Sequence, residues 1–222
     1  MSYVSNLVKK PWGYEYLAYE NDECALWFLY IQKGHKTSMH CHPNKTTGLV
    51  LLDGSATVSF LSDSFDLSPL HKIMIRKGLF HSTCATNKPA CVFEVETPVD
   101  KLDLVRLRDN YGREGQPYEN STFEIPKESD CLWIENPNDR AENIYQIANT
   151  KLTVKKLENL DFFNLLEDSI NVMFLQGGIL TEYKTRVAGA GDIVSAKVIK
   201  ELISVFNAVE KDSIIMVMEK NV

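Results

Sequence analysis

The chain has 222 residues, 44% of them hydrophobic, which is enough for one large β domain or two smaller ones with a real core. With 30 acidic against 24 basic side chains the net charge is -6, so no excess positive charge exists to attract a nucleic-acid backbone. The N-terminal stretch MSYVSNLVKKPWGYEY lacks an apolar run of signal-peptide length and runs such as ALWFLYI are too short to span a bilayer, so the expectation is a cytoplasmic protein with no membrane partner.

In chain order, ALWFLYIQK, GLVLLDGSATVSFL, HKIMIRKGLFHSTCA and ACVFEVET are short segments rich in β-branched and aromatic residues, separated by Gly, Pro, Asn or Asp. They predict strands of a sandwich or barrel. Leu102, Val105 and Leu107 allow a short helical turn after them. Residues 113–130 are polar and hold two prolines, the mark of a connector. Past Cys131, INVMFLQGGIL, VAGAGDIVSAKVI and DSIIMVME repeat the order strand, glycine turn, strand, which suggests an internal duplication. Between the first and what precedes it, NLDFFNLLEDS predicts a helix with Phe162, Leu165 and Leu166 toward the core. Five cysteines without a C-x-x-C pair predict reduced, mostly buried thiols.

The chemistry concentrates between Gly34 and His81. His40 and His42 flank Cys41, and on a strand the two imidazoles point to one side and the thiol to the other. Five residues separate Gly34 from His40, eleven separate His42 from Gly54, and two separate Gly78 from His81. This pattern resembles the two motifs of the cupin superfamily, whose histidines and glutamate bind a metal inside a small β-barrel. The resemblance implies an all-β jelly-roll fold in two lobes: a metal-binding barrel over 1–112, a connector over 113–130 and a degenerate second lobe over 131–222, which has no histidine. It makes His40, His42 and His81 the ligands of one divalent transition metal per chain, zinc, manganese, iron or nickel. The family's glutamate position falls on Thr47, with six residues between it and Gly54, and the second motif has Arg76 and Ala85 where proline and asparagine are usual. Three neutral imidazoles alone would leave the full dication charge and a strong Lewis acid. The Thr47 hydroxyl could hold a water there.

The flanks KKPWGYEYL and FEVETPVDKLDLVRLRDNYGR are similar to those of cupins related to mannose-6-phosphate isomerase. In them Trp12 and Tyr14 read as edge-strand packing, and Arg106, Asp109 and Arg113 as ion pairs. The resemblance implies a sugar phosphate or nucleotide sugar as ligand and isomerase or epimerase chemistry in surface-polysaccharide precursor metabolism. Glu94 and Glu96 share one strand face and are the candidate bases; Lys36, Lys45 and Arg76 are candidate anchors for a phosphate or carboxylate, with Thr47 beside them. A second copy of the chain is the expected protein partner. Two other readings stand: a three-histidine iron dioxygenase, and a non-catalytic sugar-binding or regulatory module in which Thr47 marks lost catalysis.

Overall fold

The computed structural model describes residues 6–116, 118, 123–124, 131–137 and 142–221, in two compact units, Met1–Ile134 and Glu135–Val222. Both are built from antiparallel sheets, so the chain is all-β with little helix. Among the described residues no helix is long and apolar enough to cross a membrane.

The first unit contains β1 (Leu7–Lys10), β2 (Gly13–Glu20), β3 (Ala25–Ile31), β4 (Met39–Cys41), β5 (Thr46–Asp53), β6 (Ala56–Ser59), β7 (Ser64–Leu67), β8 (Lys72–Ile75), β9 (Ser82–Ala85), β10 (Ala90–Thr97), β11 (Val105–Arg108) and β12 (Phe123–Glu124). Seven form one sheet in the order β12-β1-β2-β3-β10-β5-β8; β7-β6-β9 and β11-β4 form two smaller ones. The central strand β10 is buried on both faces, and the face that matters carries Val92, Glu94 and Glu96. Val92 pairs with Leu29 and Leu51, Glu94 with Trp27 and Leu49, and Glu96 with Ala25 and Thr47. Leu29, Trp27, Leu49 and Leu51 belong to the main apolar core. Both glutamates therefore emerge on the core side, a burial that only partners can offset.

The opposite face is aromatic: Tyr14 stacks on Tyr30 and Tyr16 on Phe28, each with centroids 5.0 Å apart, and Phe28 meets Phe93 edge-on at 6.1 Å. Trp133 closes on Tyr16 at 5.2 Å, and the Ile134 amide donates to the Ala18 carbonyl at 2.9 Å. Arg113, Gln116 and Tyr118, inside the predicted connector, belong to this first unit, and β12 pairs with β1; the rest of residues 113–130 lie outside the described residues apart from 114 and 115. The predicted helical turn is replaced by loop and by β11, because the pairing of Val105 and Arg106 with Cys41 and His40 claims that backbone.

The second unit contains β13 (Glu142–Ile147), β14 (Thr150–Lys156), a 3-10 helix (Leu160–Leu165), β15 (Asn171–Gln176), β16 (Gly178–Leu180), β17 (Arg186–Gly189), β18 (Ile193–Ser195), α1 (Ala196–Ile203), β19 (Ala208–Val209) and β20 (Ile214–Lys220). Its sheets run β13-β14-β20-β15-β18 and β17-β16-β19. Two sequence expectations are corrected here. The segment SAKVI, expected to be strand, opens α1, since Ala196, Ile199, Leu202 and Ile203 repeat at helical spacing and Ala196 and Ile199 are buried. At the 3-10 helix Phe162 and Leu166 pack against the core as expected, but the fully buried residue is Phe163 and Leu165 is 83% exposed, because the tighter turn rotates it off the core face.

Candidate metal centre

His40 lies on β4, and the chain entering β9 is joined to it by a reciprocal pair: the His40 amide donates to the His81 carbonyl at 3.0 Å and the His81 amide to the His40 carbonyl at 2.8 Å. Gly78, at φ +72°, turns the chain so that its amide donates to the His42 carbonyl at 2.8 Å. A side chain at that φ is strained, so the glycine is what lets His81 arrive opposite His40. The ring centroids stand 4.4 Å (His40 to His81), 5.0 Å (His40 to His42) and 5.6 Å (His42 to His81) apart.

Each imidazole is oriented from behind. Nδ1 of His40 donates to the Ser38 carbonyl at 2.8 Å, that of His42 to the Asp103 carbonyl at 2.6 Å, and that of His81 to the Leu79 carbonyl at 3.0 Å. With the proton on Nδ1, Nε2 presents a lone pair, the arrangement of a metal-ligating histidine with its supporting acceptor. Nε2 of His42 and of His81 are buried and have no hydrogen-bond partner. Burial pushes all three imidazoles below their ordinary range, His81 to about 4, and the neighbouring imidazoles press His40 further down. Neutral, preoriented and unsatisfied, these nitrogens fit a divalent cation.

A carboxylate completes the set. Donor atoms of His40, His42, His81 and Glu94 all lie within 4.8 Å of one another. The sequence led to a centre without a carboxylate because Thr47 stands where a glutamate was sought; the carboxylate comes instead from the adjacent strand β10. Glu94 pairs with Leu49, on the same face of β5 as Thr47. The Thr47 hydroxyl is buried without a hydrogen-bond partner, directly across from Glu96. Glu96 in turn forms an ion pair with the Lys45 ammonium at 2.9 Å and lies 3.8 Å from Nε2 of His42.

The two carboxyls differ in charge. Burial, then the charge of Glu96, pushes Glu94 up to about 8. Burial also acts to raise Glu96, but Lys101, Lys45 and His42 outweigh it and hold it below the usual carboxylate range. At pH 7 the metal-free site thus has neutral imidazoles, a protonated Glu94 and an ionised Glu96. Loading zinc at pH 7 is expected to release the Glu94 proton, together with any that a zinc-bound water gives up. Calorimetry in buffers of different ionisation enthalpy counts the protons released, and Glu94→Gln should release fewer; an unchanged count in that variant would exclude Glu94.

The centre opens on a cavity lined by both glutamates, His40 and His42, Trp12 and Leu29, and by Glu15, Lys10, Lys101, Arg106, Arg113 and Tyr118. About 50 Å³ is open to the centres of water molecules, room for roughly three to five of them. The proposed anchors are distributed differently. Lys45 is sealed against Glu96, whereas Lys36 and Arg76 are exposed and do not line the cavity. Sequence proximity to the histidines did not bring them in: the Lys36 backbone bridges to Cys84 and Arg76 directly follows β8, and both side chains are exposed. Lys10, Glu15, Lys101 and Tyr118 were missed as site residues. They lie in or just beyond the two flanks that carried the family likeness, where Arg106 and Arg113 were read as ion-pair formers only. Arg113 does pair with Asp109, at 2.7 Å, and Arg106 donates to the Gln116 carbonyl at 2.7 Å.

No family model matches the chain, and no curated protein matches it. Among solved structures it is similar to KdgF from Halomonas sp., over 41% of this chain and 84% of that one, at 13% identity and a TM-score of 0.39. A cupin-2 domain containing protein from Shewanella frigidimarina aligns over 41% of this chain and 84% of its own, at 15% identity and a TM-score of 0.35. The capsular polysaccharide assembling protein CapF from Staphylococcus aureus aligns over 46% of this chain and 34% of its own, at 15% identity and a TM-score of 0.43.

Proposed function

We propose that the first unit is a metal-dependent cupin enzyme that moves a proton between adjacent carbons of a small carbohydrate, the chemistry of a sugar or sugar-phosphate isomerase or epimerase. The observation that carries this reading is the clustering of donor atoms from His40, His42, His81 and Glu94 within 4.8 Å of one another, beside a small cavity that His40, His42, Glu94 and a second carboxylate, Glu96, line. His40, His42, His81 and Glu94 would hold the metal, which when bound supplies Lewis acidity toward a carbonyl and its neighbouring hydroxyl. Glu96 is the base: Lys45 keeps it charged, and it lines the cavity beside the ligands. The buried walls limit water at the reacting carbons. Glu94 in the cluster sets a carboxyl beside the three histidines, which the dioxygenase reading takes as carboxylate-free.

The test is metal analysis of protein purified without chelator, followed by a panel of sugars and sugar phosphates in deuterated water, watched for carbon-bound deuterium. Glu96→Gln is expected to retain the metal and slow exchange by about 10²–10⁴-fold. Oxygen uptake without exchange would favour the dioxygenase, and binding without either would favour the regulatory module.

A further inference from the structure

The loop between β10 and β11 serves the centre twice. The Asp103 carbonyl accepts from His42 Nδ1, and the Asp103 carboxylate accepts from the backbone amides of Asn44 and Lys45 at 2.8 and 3.0 Å and from the Asn44 side chain at 3.0 Å. Two residues before this anchor, Lys101 enters the cavity. Its ammonium is 3.4 Å from the centroid of Trp27, 4.6 Å from that of Tyr118 and 3.1 Å from Glu15 Oε1. Trp27 pairs with Glu94 across β3 and β10, so the ammonium stands over the same face that carries both glutamates.

Lys101 shares Glu15 with Lys10, at 3.7 Å, and with the Tyr118 hydroxyl, and this pairing engages only one side of its ammonium. An ammonium has three donors, and aromatic faces attract its charge without consuming them. The Lys101 side chain retains 14% exposure while lining the cavity, so it is fixed in place yet reachable. Lys36 and Arg76, also close to the histidine motifs in sequence, have no such access.

We infer that Lys101 is the residue that receives an anionic oxygen of the substrate, a carboxylate or phosphate oxygen, inside the cavity of the histidine cluster. This rests on the reading of that cavity as the active site. The substrate is then a small oxyanion-bearing metabolite, one oxygen pair near the histidines and its anionic group on the ammonium between Trp27 and Tyr118.

The experiment measures calorimetric binding of glycolate and, separately, inorganic phosphate to the full chain, with and without zinc. Lys101→Met is expected to weaken the preferred anion at least tenfold with zinc content unchanged, and Lys101→Arg to stay within about threefold of the parent. The arm that binds tells carboxylate from phosphate. If the parent binds no zinc, the metal reading fails, while anion binding that Lys101→Met abolishes still upholds this one. Equal affinity in the parent and Lys101→Met, or no binding of either anion in either state, overturns it. Should Lys101→Met not fold, reductive methylation of the parent decides: a saturating anion must protect Lys101 severalfold relative to exposed Lys36, and absence of protection overturns the inference.

Discussion

Replacing His81 with alanine is expected to take the protein from about one zinc or manganese ion per chain to less than a tenth of that after dialysis. Four donors are gathered, and even the loss of a group that merely orients a ligand weakens metal affinity by about 10–100-fold. Loss of a ligand exceeds that. His81 is 1% exposed, its ring held by the Leu79 carbonyl and its backbone by His40, so the backbone pairing survives truncation of the side chain. The same variant carries a pH signature in metal-free protein. Burial lowers the folded pKa of His81 to about 4 from an ordinary 6.5, so the unfolded chain binds the extra proton in between. Stability is therefore full above about 6.5 and lost as pH falls toward 4, by about 3 kcal/mol from this group alone. His81→Ala should show a shallower acid limb in urea titrations. Full metal occupancy in the variant, or an acid limb as steep as the parent's, would refute the assignment.

Glu15→Gln is the second substitution with a large expected effect, and it acts on stability. Glu15 is 4% exposed and receives Lys10, Lys101 and the Tyr118 hydroxyl. Removing the anion from a buried ion pair leaves its cations uncompensated, at a cost of about 3–5 kcal/mol. Burial alone would raise the Glu15 pKa, but the charges of Lys10 and Lys101 and the bond from Tyr118 hold it below the usual carboxylate range. The contribution is thus present above the unfolded value of 4.5 and disappears as pH falls through the folded value. The urea midpoints of parent and variant should lie far apart at pH 7 and converge in acid. A difference of less than about 1 kcal/mol at pH 7, or one that persists unchanged to pH 3, would show that Glu15 does not hold this cluster together.

The identity of the elements that carry the histidines was legible, and so was the all-β class, because both depend on short-range rules. The two-residue spacing of His40 and His42 places them on one side of the chain whatever packs around it. Gly34, Gly54 and Gly78 all adopt positive φ, +77°, +93° and +72°. A Cβ at Gly54 would stand 1.8 Å from the Pro89 carbonyl oxygen, which is why no other residue serves at that turn. Local pattern failed at SAKVI, where an apolar run suits either period and only the spacing of Ile199, Leu202 and Ile203 favours helix.

The sequence by itself determined the β class and which imidazoles share a side. The tertiary structure alone decided which carboxyl joins them and which cations reach the cavity. Glu94 enters the cluster through the register that sets it against Leu49 and Trp27, and Lys101 through a loop pinned by Asp103 to the backbone of Asn44 and Lys45, some sixty residues earlier. A strand's own residues specify its period of two but not its register. Register is set by what packs on each face and by the turns at either end, so a slip of one residue would have turned both glutamates away from the histidines.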